Sequence, residues 1–312
     1  MRLTRGLPVL ILLSSFAFAA PNDESAIKRR PKVREVPTFR ADSNLVLVPV
    51  TVLDRKGAVV EGLSAESFVV LQDSAPQKIA SFGEQDIPVS VGIVLDTSGS
   101  MQRSIGRAKD ALRAFIGRAN PADEMGLLTV STRPGEDFGF TSDLNSIPER
   151  LLTTGAGGST ALIDTIYAAI QQSRSAHNGR RALFVISDGM DNHSRYSKAE
   201  LMSAALEADL QIYCLSIYDP PLTRKPIELQ EERSGVALLE ELARRTGGVA
   251  LVAHGEGDIS RAAARIGRIM RDQYLIGYLP EGVDNSGKWH SIQVTLKPSG
   301  VKAWARSGFY GH

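Results

Sequence analysis

The sequence predicts an α/β domain, with a doubly wound, mostly parallel sheet and helices on both faces, inserted in a small β-sandwich. Nearly continuous apolar runs such as Val89–Leu95 are typical of strands buried on both faces, and these runs alternate with amphipathic helical segments. The regions before and after this alternation carry β patterning without helices. Because so few strands are marginal alone, the two flanks are expected to pair with each other.

The N-terminal flank contains three strand-like segments. Leu45–Leu53 is rich in β-branched and apolar residues, and Pro49 within it predicts an edge or bulged strand because proline lacks an N–H group. Phe68–Leu71 and Gln77–Ala80 predict a hairpin across the turn at 73–76.

The central region predicts repeated βα units, which form parallel sheets covered by helices. Its predicted strands are 89–95, 125–130, 182–186, 211–217 and 249–253, with a short edge strand at 138–140. Its predicted helices are 105–119, 162–176, 198–208, 236–245 and 259–270. The C-terminal flank predicts strands at 274–279, 289–296 and 302–306.

The N-terminus predicts export. Arg2 and Arg5 precede an apolar centre at Val9–Phe16, and Ala17-Phe18-Ala19 supplies the small residues of a cleavage site. This apolar run is too short to span a bilayer, so no membrane span is expected in the mature form. An uncleaved interfacial anchor is the alternative. The expected destination is the periplasm, the cell surface or the medium.

The predicted domain organisation follows from these patterns. Residues 1–19 form the signal peptide, and the polar, proline-containing stretch 20–40 forms a flexible linker. The N-terminal β segment at 41–86 is expected to pair with the C-terminal β segment at 273–312, and the α/β domain occupies 87–272.

The composition excludes some classes of partner and site. Lysine and arginine total 36 against 35 acidic residues, giving a net charge of +1, so no nucleic-acid partner is expected. The single cysteine, Cys214, rules out an intramolecular disulfide. Its apolar surroundings predict a buried strand residue and not a reactive thiol.

Three segments place oxygen-bearing side chains at strand or helix ends. Asp96, Ser98 and Ser100 follow the first buried strand, Asp188 follows the strand 182–186, and Thr160 precedes a helix. In open α/β sheets, ligands bind beyond the C-terminal ends of the strands. Oxygen ligands without histidine or cysteine suit a hard cation, which predicts magnesium or manganese.

The order Asp-x-Ser-x-Ser, Gly-Gly-x-Thr and Ser-Asp-Gly resembles the metal-ion-dependent adhesion site of von Willebrand factor type A domains. The resemblance covers about 87–270 and implies a Rossmann-like fold. It implies that Asp96, Ser98, Ser100, Thr160 and Asp188 hold Mg²⁺, or Mn²⁺ or Ca²⁺, some of them through water. It also implies a protein partner that offers a carboxylate to the cation.

The flanks resemble exported bacterial proteins of the VWFA-related family. The resemblance rests on motifs in both flanks and on the first metal loop: Asp54-x-x-Gly57, Leu63-Ser64, Phe68, Gln77-Lys78-Ile79, Asp96-Thr97-Ser98-Gly99-Ser100-Met101 and Tyr274-x-x-Gly277-Tyr278. Ser74 departs from it, because glycine is expected after Asp73 in the hairpin.

Two further acids could support the site from outside. Asp164 lies one helical turn after Thr160, and Asp191 follows the Asp188 loop. A first-turn acid favoured by the helix dipole is the alternative for Asp164, and a solvated loop residue is the alternative for Asp191.

The sequence favours a metal-dependent binding module over an enzyme. A nucleophilic Ser98 would need a base, but there is no Gly-x-Ser-x-Gly motif and no partner histidine is indicated. Phosphoryl transfer through Asp96 would need a second acid where Ser98 stands. The third hypothesis is a structural or chaperone-like scaffold in a bacterial envelope assembly, in which the sandwich would make the contact.

Overall fold

A computed structural model of the protein describes residues 45–84, 86–135, 139–152, 154–218, 226–280 and 287–311. The predicted signal peptide and linker lie outside these ranges, as does Phe138 of the predicted edge strand. Within the same ranges, no helix combines the length and the apolar character needed to cross a bilayer.

The elements follow one another along the described ranges with strands at both ends and βα units between them. In chain order they are β1 (Val46–Asp54), β2 (Phe68–Gln72), β3 (Ala75–Gln77), β4 (Ile79–Glu84), β5 (Val89–Asp96), α1 (Ile105–Ile116), β6 (Glu124–Val130), α2 (Ser146–Arg150), α3 (Leu162–Gln172), β7 (Arg180–Ser187), α4 (Lys198–Glu207), β8 (Gln211–Tyr218), α5 (Pro226–Thr246), β9 (Ala250–His254), α6 (Glu256–Arg271), β10 (Tyr274–Tyr278), β11 (Trp289–Leu296), β12 (Val301–Trp304) and β13 (Gly308–Tyr310).

The centre of the fold is a parallel sheet with strand order β6-β5-β7-β8-β9, which confirms the predicted α/β class. Apolar side chains fill both of its faces. Helices α1 and α6 cover one core, and α3, α4 and α5 cover the other. The chain leaves β5 toward β6 but leaves β7 toward β8, so the sheet has its switch point between β5 and β7. Ligands of open α/β sheets bind at such a point.

The flanks form two antiparallel sheets, as predicted, and each sheet combines strands from both ends of the described chain. Their strand orders are β12-β1-β10-β4 and β13-β11-β2-β3. A third core lies between them, in which the rings of Phe68 and Tyr274 have centroids 5.0 Å apart. The prediction of an edge strand is wrong for β1 as a whole, because β1 lies between β12 and β10. Pro49 itself has only β10 as a neighbour, since β12 pairs with β1 from Thr51 onward, so its missing N–H group costs no bond to a second strand.

The hairpin in the structure differs from the predicted one in its second strand. The turn consists of Asp73 and Ser74 alone, with φ of 49° and 69°, and β3 rather than Gln77–Ala80 pairs with β2. The chain then crosses to the other sheet, where β4 pairs with β10. The left-handed backbone at Ser74 explains why glycine would suit this position.

Helix α5 is longer than predicted. The sequence pattern predicts a helix over 236–245, whereas the helix spans Pro226–Thr246. Gly235 interrupts the pattern and is a residue typical of helix ends, although here it lies in the helix interior.

Candidate metal site

Asp96 is the central acid of the site. It is the last residue of β5 and is fully buried. Its Oδ1 accepts a hydrogen bond from the backbone N–H of Ser98 (2.9 Å), and its Oδ2 accepts one from the Ser187 hydroxyl (2.6 Å). The carboxylate therefore joins the end of β5 to the end of β7 at the switch point of the sheet.

Ser98 and Ser100 present their hydroxyls side by side. The two Oγ atoms lie 3.0 Å apart, where a short 3-10 helix begins at Gly99. Gly99 donates its N–H to the carbonyl of Gly158 at 3.0 Å, and a Cβ at Gly99 would lie 3.1 Å from that oxygen. Glycine at this position thus lets the serine loop approach the Thr160 loop closely.

Thr160 lies between the other two segments. Its loop is tied to the serine loop by the N–H of Gly157, which donates to Thr97 O at 2.8 Å. Its backbone N–H donates to Asn192 Oδ1 (3.0 Å), and its carbonyl accepts from the N–H of His193 (2.9 Å). These bonds hold the Thr160 loop against the loop that follows β7.

Asp188 directly follows β7 and is also buried. Its Oδ1 accepts a hydrogen bond from the backbone N–H of Met190 at 3.1 Å. Burial, together with the negative charge of Asp188 nearby, raises the pKa of Asp96 to about 6. The two carboxylates are therefore close enough to repel each other.

This donor set fits a hard divalent cation. Asp96 accepts hydrogen bonds from Ser98 and Ser187, and a bound cation would offset its repulsion with Asp188. Within the described ranges no group of three or more His, Cys, Asp and Glu side chains is arranged to hold a metal ion. The predicted site has only two such side chains, and hydroxyl oxygens make up the rest.

Asp164 and Asp191 have other contacts in the structure. Asp164 Oδ1 accepts from the N–H groups of Arg195 (2.8 Å) and Tyr196 (2.9 Å). Asp191 Oδ1 accepts from the first N–H of α3, at Leu162 (2.9 Å), and from the Ser194 hydroxyl. Both carboxylates fasten the loop after β7 to the start of α3, and none of these bonds is made to the five predicted ligands.

Two residues beyond the five predicted ligands and the two supporting acids also belong to the site. Ser187 bonds to Asp96, and Asn192 bonds to Thr160. Ser187 lies within the Ser-Asp-Gly motif, so the motif could have indicated it. Asn192 is an exposed loop residue with no local pattern that indicates its partner 32 residues away.

Comparison with known proteins gives a family match and distant structural similarities. A family model described as von Willebrand factor type A domain matches residues 91–190, a range that includes all five predicted ligands. No curated protein matches the chain by sequence.

Three solved structures illustrate the structural similarity. Proximal thread matrix protein 1 from the mussel byssus is 14% identical with a TM-score of 0.50, and the match covers 64% of this chain and 49% of that one. A von Willebrand factor type A protein from Catenulispora acidiphila is 13% identical with a TM-score of 0.49, covering 88% and 74%. BatB from Bacteroides thetaiotaomicron is 20% identical with a TM-score of 0.46, covering 59% and 100%.

The matched range contains β6, β7 and all but the first two residues of β5, and it ends just after the Asp188 loop. The parallel order of these strands and the family match agree. The chain therefore contains a von Willebrand factor type A domain.

Proposed function

We propose that the protein is an exported binding module that uses a divalent cation, held by Asp96, Ser98, Ser100, Thr160 and Asp188, to capture an acidic residue of a protein partner. When bound, the cation would supply a positive charge that attracts a carboxylate. The observation that carries the proposal is the pair of buried, mutually repelling carboxylates beside two paired hydroxyls at the switch point.

The residues of the site support binding through their own contacts. Neutral hydroxyls outnumber carboxylates among the five, so the cation would keep part of its positive charge for a partner. Ser98 is buried, whereas Ser100 is only half-buried and Gly99 is exposed, so the serine loop reaches the surface at these two residues. The mussel protein has been solved with a zinc occupied MIDAS motif, which supports a cation at the corresponding motif here.

The contacts of Ser98 favour binding over catalysis. Its hydroxyl is paired with that of Ser100, and within the described residues no histidine is bonded to it. A serine nucleophile would need such a base. The alternative function, a scaffold that binds through the sandwich, predicts partners that do not depend on the cation.

Pull-downs from bacterial envelope extracts test the proposal. The full chain, a Ser98→Ala/Ser100→Ala variant and a Ser142→Ala/Ser203→Ala control would each be immobilised and incubated with magnesium or with EDTA. Ser142 and Ser203 are exposed serines away from the site. We expect the wild type and the control to retain a partner in magnesium, and we expect EDTA or the Ser98/Ser100 variant to reduce this retention at least tenfold. The same partners retained under all conditions would contradict the proposal and favour the scaffold.

A further inference from the structure

Helix α5 contacts the Asp188 loop through two glycines. Gly189 has a φ of 83°, in the left-handed region, and a Cβ there would lie 2.8 Å from the backbone nitrogen of Val236. A Cβ at Gly235 would overlap the carbonyl oxygen of Gly189. The backbones of helix and loop are therefore in direct contact, and neither position has room for a side chain.

Gly235 is an unfavourable residue for its position in the helix. Glycine in a helix interior is less favourable than alanine. Gly235 is buried, and the atoms that exclude a larger residue are the backbone atoms of Gly189. Close approach of the helix to the Asp188 loop is thus what requires glycine here.

Hydrogen bonds connect this contact to both acids of the site. The N–H of Gly189 donates to Ser187 Oγ at 2.9 Å, and the same hydroxyl donates to Asp96 Oδ2 at 2.6 Å. On the other side of Gly189, the N–H of Met190 donates to Asp188 Oδ1 at 3.1 Å. A displacement of Gly189 would therefore change the positions of both carboxylates.

We propose that helix α5 is a positioning element of the cation site, and that the contact of Gly235 with Gly189 fixes the relative placement of Asp96 and Asp188. Pushing the helix away from the loop weakens cation binding without direct contact between the substituted residue and the cation. This inference rests on the proposed function, because it concerns the affinity of the same site.

Calorimetric titration with magnesium, carried out on the full wild-type chain and on its Gly235→Ala variant, tests this positioning role. Gly106→Ala is the matched control, since Gly106 also lies in a helix and a Cβ there would meet nothing within 4 Å. With folding checked by circular dichroism at the titration temperature, we expect the dissociation constant to rise at least tenfold in Gly235→Ala and to stay within twofold of wild type in Gly106→Ala. A merely structural role would lower the unfolding temperature of Gly235→Ala and leave its magnesium affinity unchanged.

The outcomes separate this inference from the proposed function. Wild type that binds no magnesium would overturn both, whereas wild type and Gly235→Ala with equal affinities would overturn the positioning role alone. If Gly235→Ala does not fold, Val236→Ala replaces it: Val236 Cγ2 would lie 3.2 Å from a Cβ at Gly189, so its removal takes away part of the helix surface that packs against this loop. We then expect at least threefold weaker binding in Val236→Ala, and unchanged affinity would overturn the positioning role.

Discussion

Replacement of Asp96 by asparagine is expected to stabilise the cation-free protein and to abolish its stabilisation by magnesium. The rise in the pKa of Asp96 from an ordinary 3.8 to about 6 corresponds to about 3 kcal/mol against the ionised side chain. Asparagine removes this charge but weakens one of the two hydrogen bonds that the Asp96 carboxylate accepts from Ser98 and Ser187, at a cost of about 1 kcal/mol. Without cation, the free energy of unfolding should therefore increase by about 2 kcal/mol.

Magnesium should stabilise the wild type but not the Asp96→Asn variant. A ligand at a hundred times its dissociation constant stabilises the folded protein by about 2.7 kcal/mol, which for a chain of this size raises the unfolding temperature by about 5 °C. Asp96→Asn lacks one of the two carboxylates that attract the cation, so we expect no such increase. Thermal unfolding at pH 8, with EDTA and with magnesium, measures both effects.

Asp110→Asn provides the control for this experiment. Asp110 is an exposed carboxylate whose partner is Arg113, so its replacement should change neither the stability without cation nor the effect of magnesium. An Asp96→Asn protein that is less stable than wild type without cation, or that responds to magnesium as wild type does, would contradict the assignment of Asp96.

Replacement of Arg271 by alanine is expected to destabilise the protein by about 3 kcal/mol, because it leaves a buried carboxylate without its charged partner. Arg271, at the end of α6, forms an ion pair with Asp123, whose side chain is 0% exposed. Asp123 Oδ1 also accepts from the N–H of Val89 (2.9 Å) at the start of β5. Loss of the arginine would leave this bond but remove the positive charge that is paired directly with the carboxylate. Urea denaturation measures the change.

Arg268→Ala is the matched control on the same helix. Arg268 is 65% exposed and bonds to Asp272 and Glu61, so its removal should cost less than about 1 kcal/mol. Equal losses in the free energy of unfolding of the two variants would show that burial of the Asp123–Arg271 ion pair does not determine its contribution to stability. Since this pair lies at the start of β5 and the cation site at its end, folded Arg271→Ala should bind magnesium as wild type does.

The α/β class could be predicted from hydrophobic patterning, and the pairing of the flanks could be predicted because the few strands on either side are marginal alone. Strands buried on both faces, such as β5, have nearly continuous apolar sequences, and those sequences end at the polar loops. The candidate ligands could be predicted for the same reason, since Asp96 and Asp188 occur directly after two such strands.

Features that depend on distant contacts could not be predicted from local patterns. The first half of α5 was missed because Gly235 resembles a helix end, and only its contact with Gly189 explains a glycine in the helix interior. The crossing of β4 to the other sheet depends on its pairing with β10, which is remote in the sequence. The contacts that Asp164 and Asp191 make between α3 and the loop after β7 likewise depend on tertiary structure.

Anomalous diffraction from crystals of the full chain grown with manganese provides the most direct test of convergence around one cation. If the five residues hold one cation, the anomalous difference map should show a single strong manganese peak. This peak should lie within contact distance of the hydroxyls of Ser98 and Ser100 and beside Asp96 and Asp188. The peak should be absent from Asp96→Asn crystals grown in the same way. Wild-type crystals with no peak at this position, or with manganese bound only elsewhere, would contradict the assignment of the site.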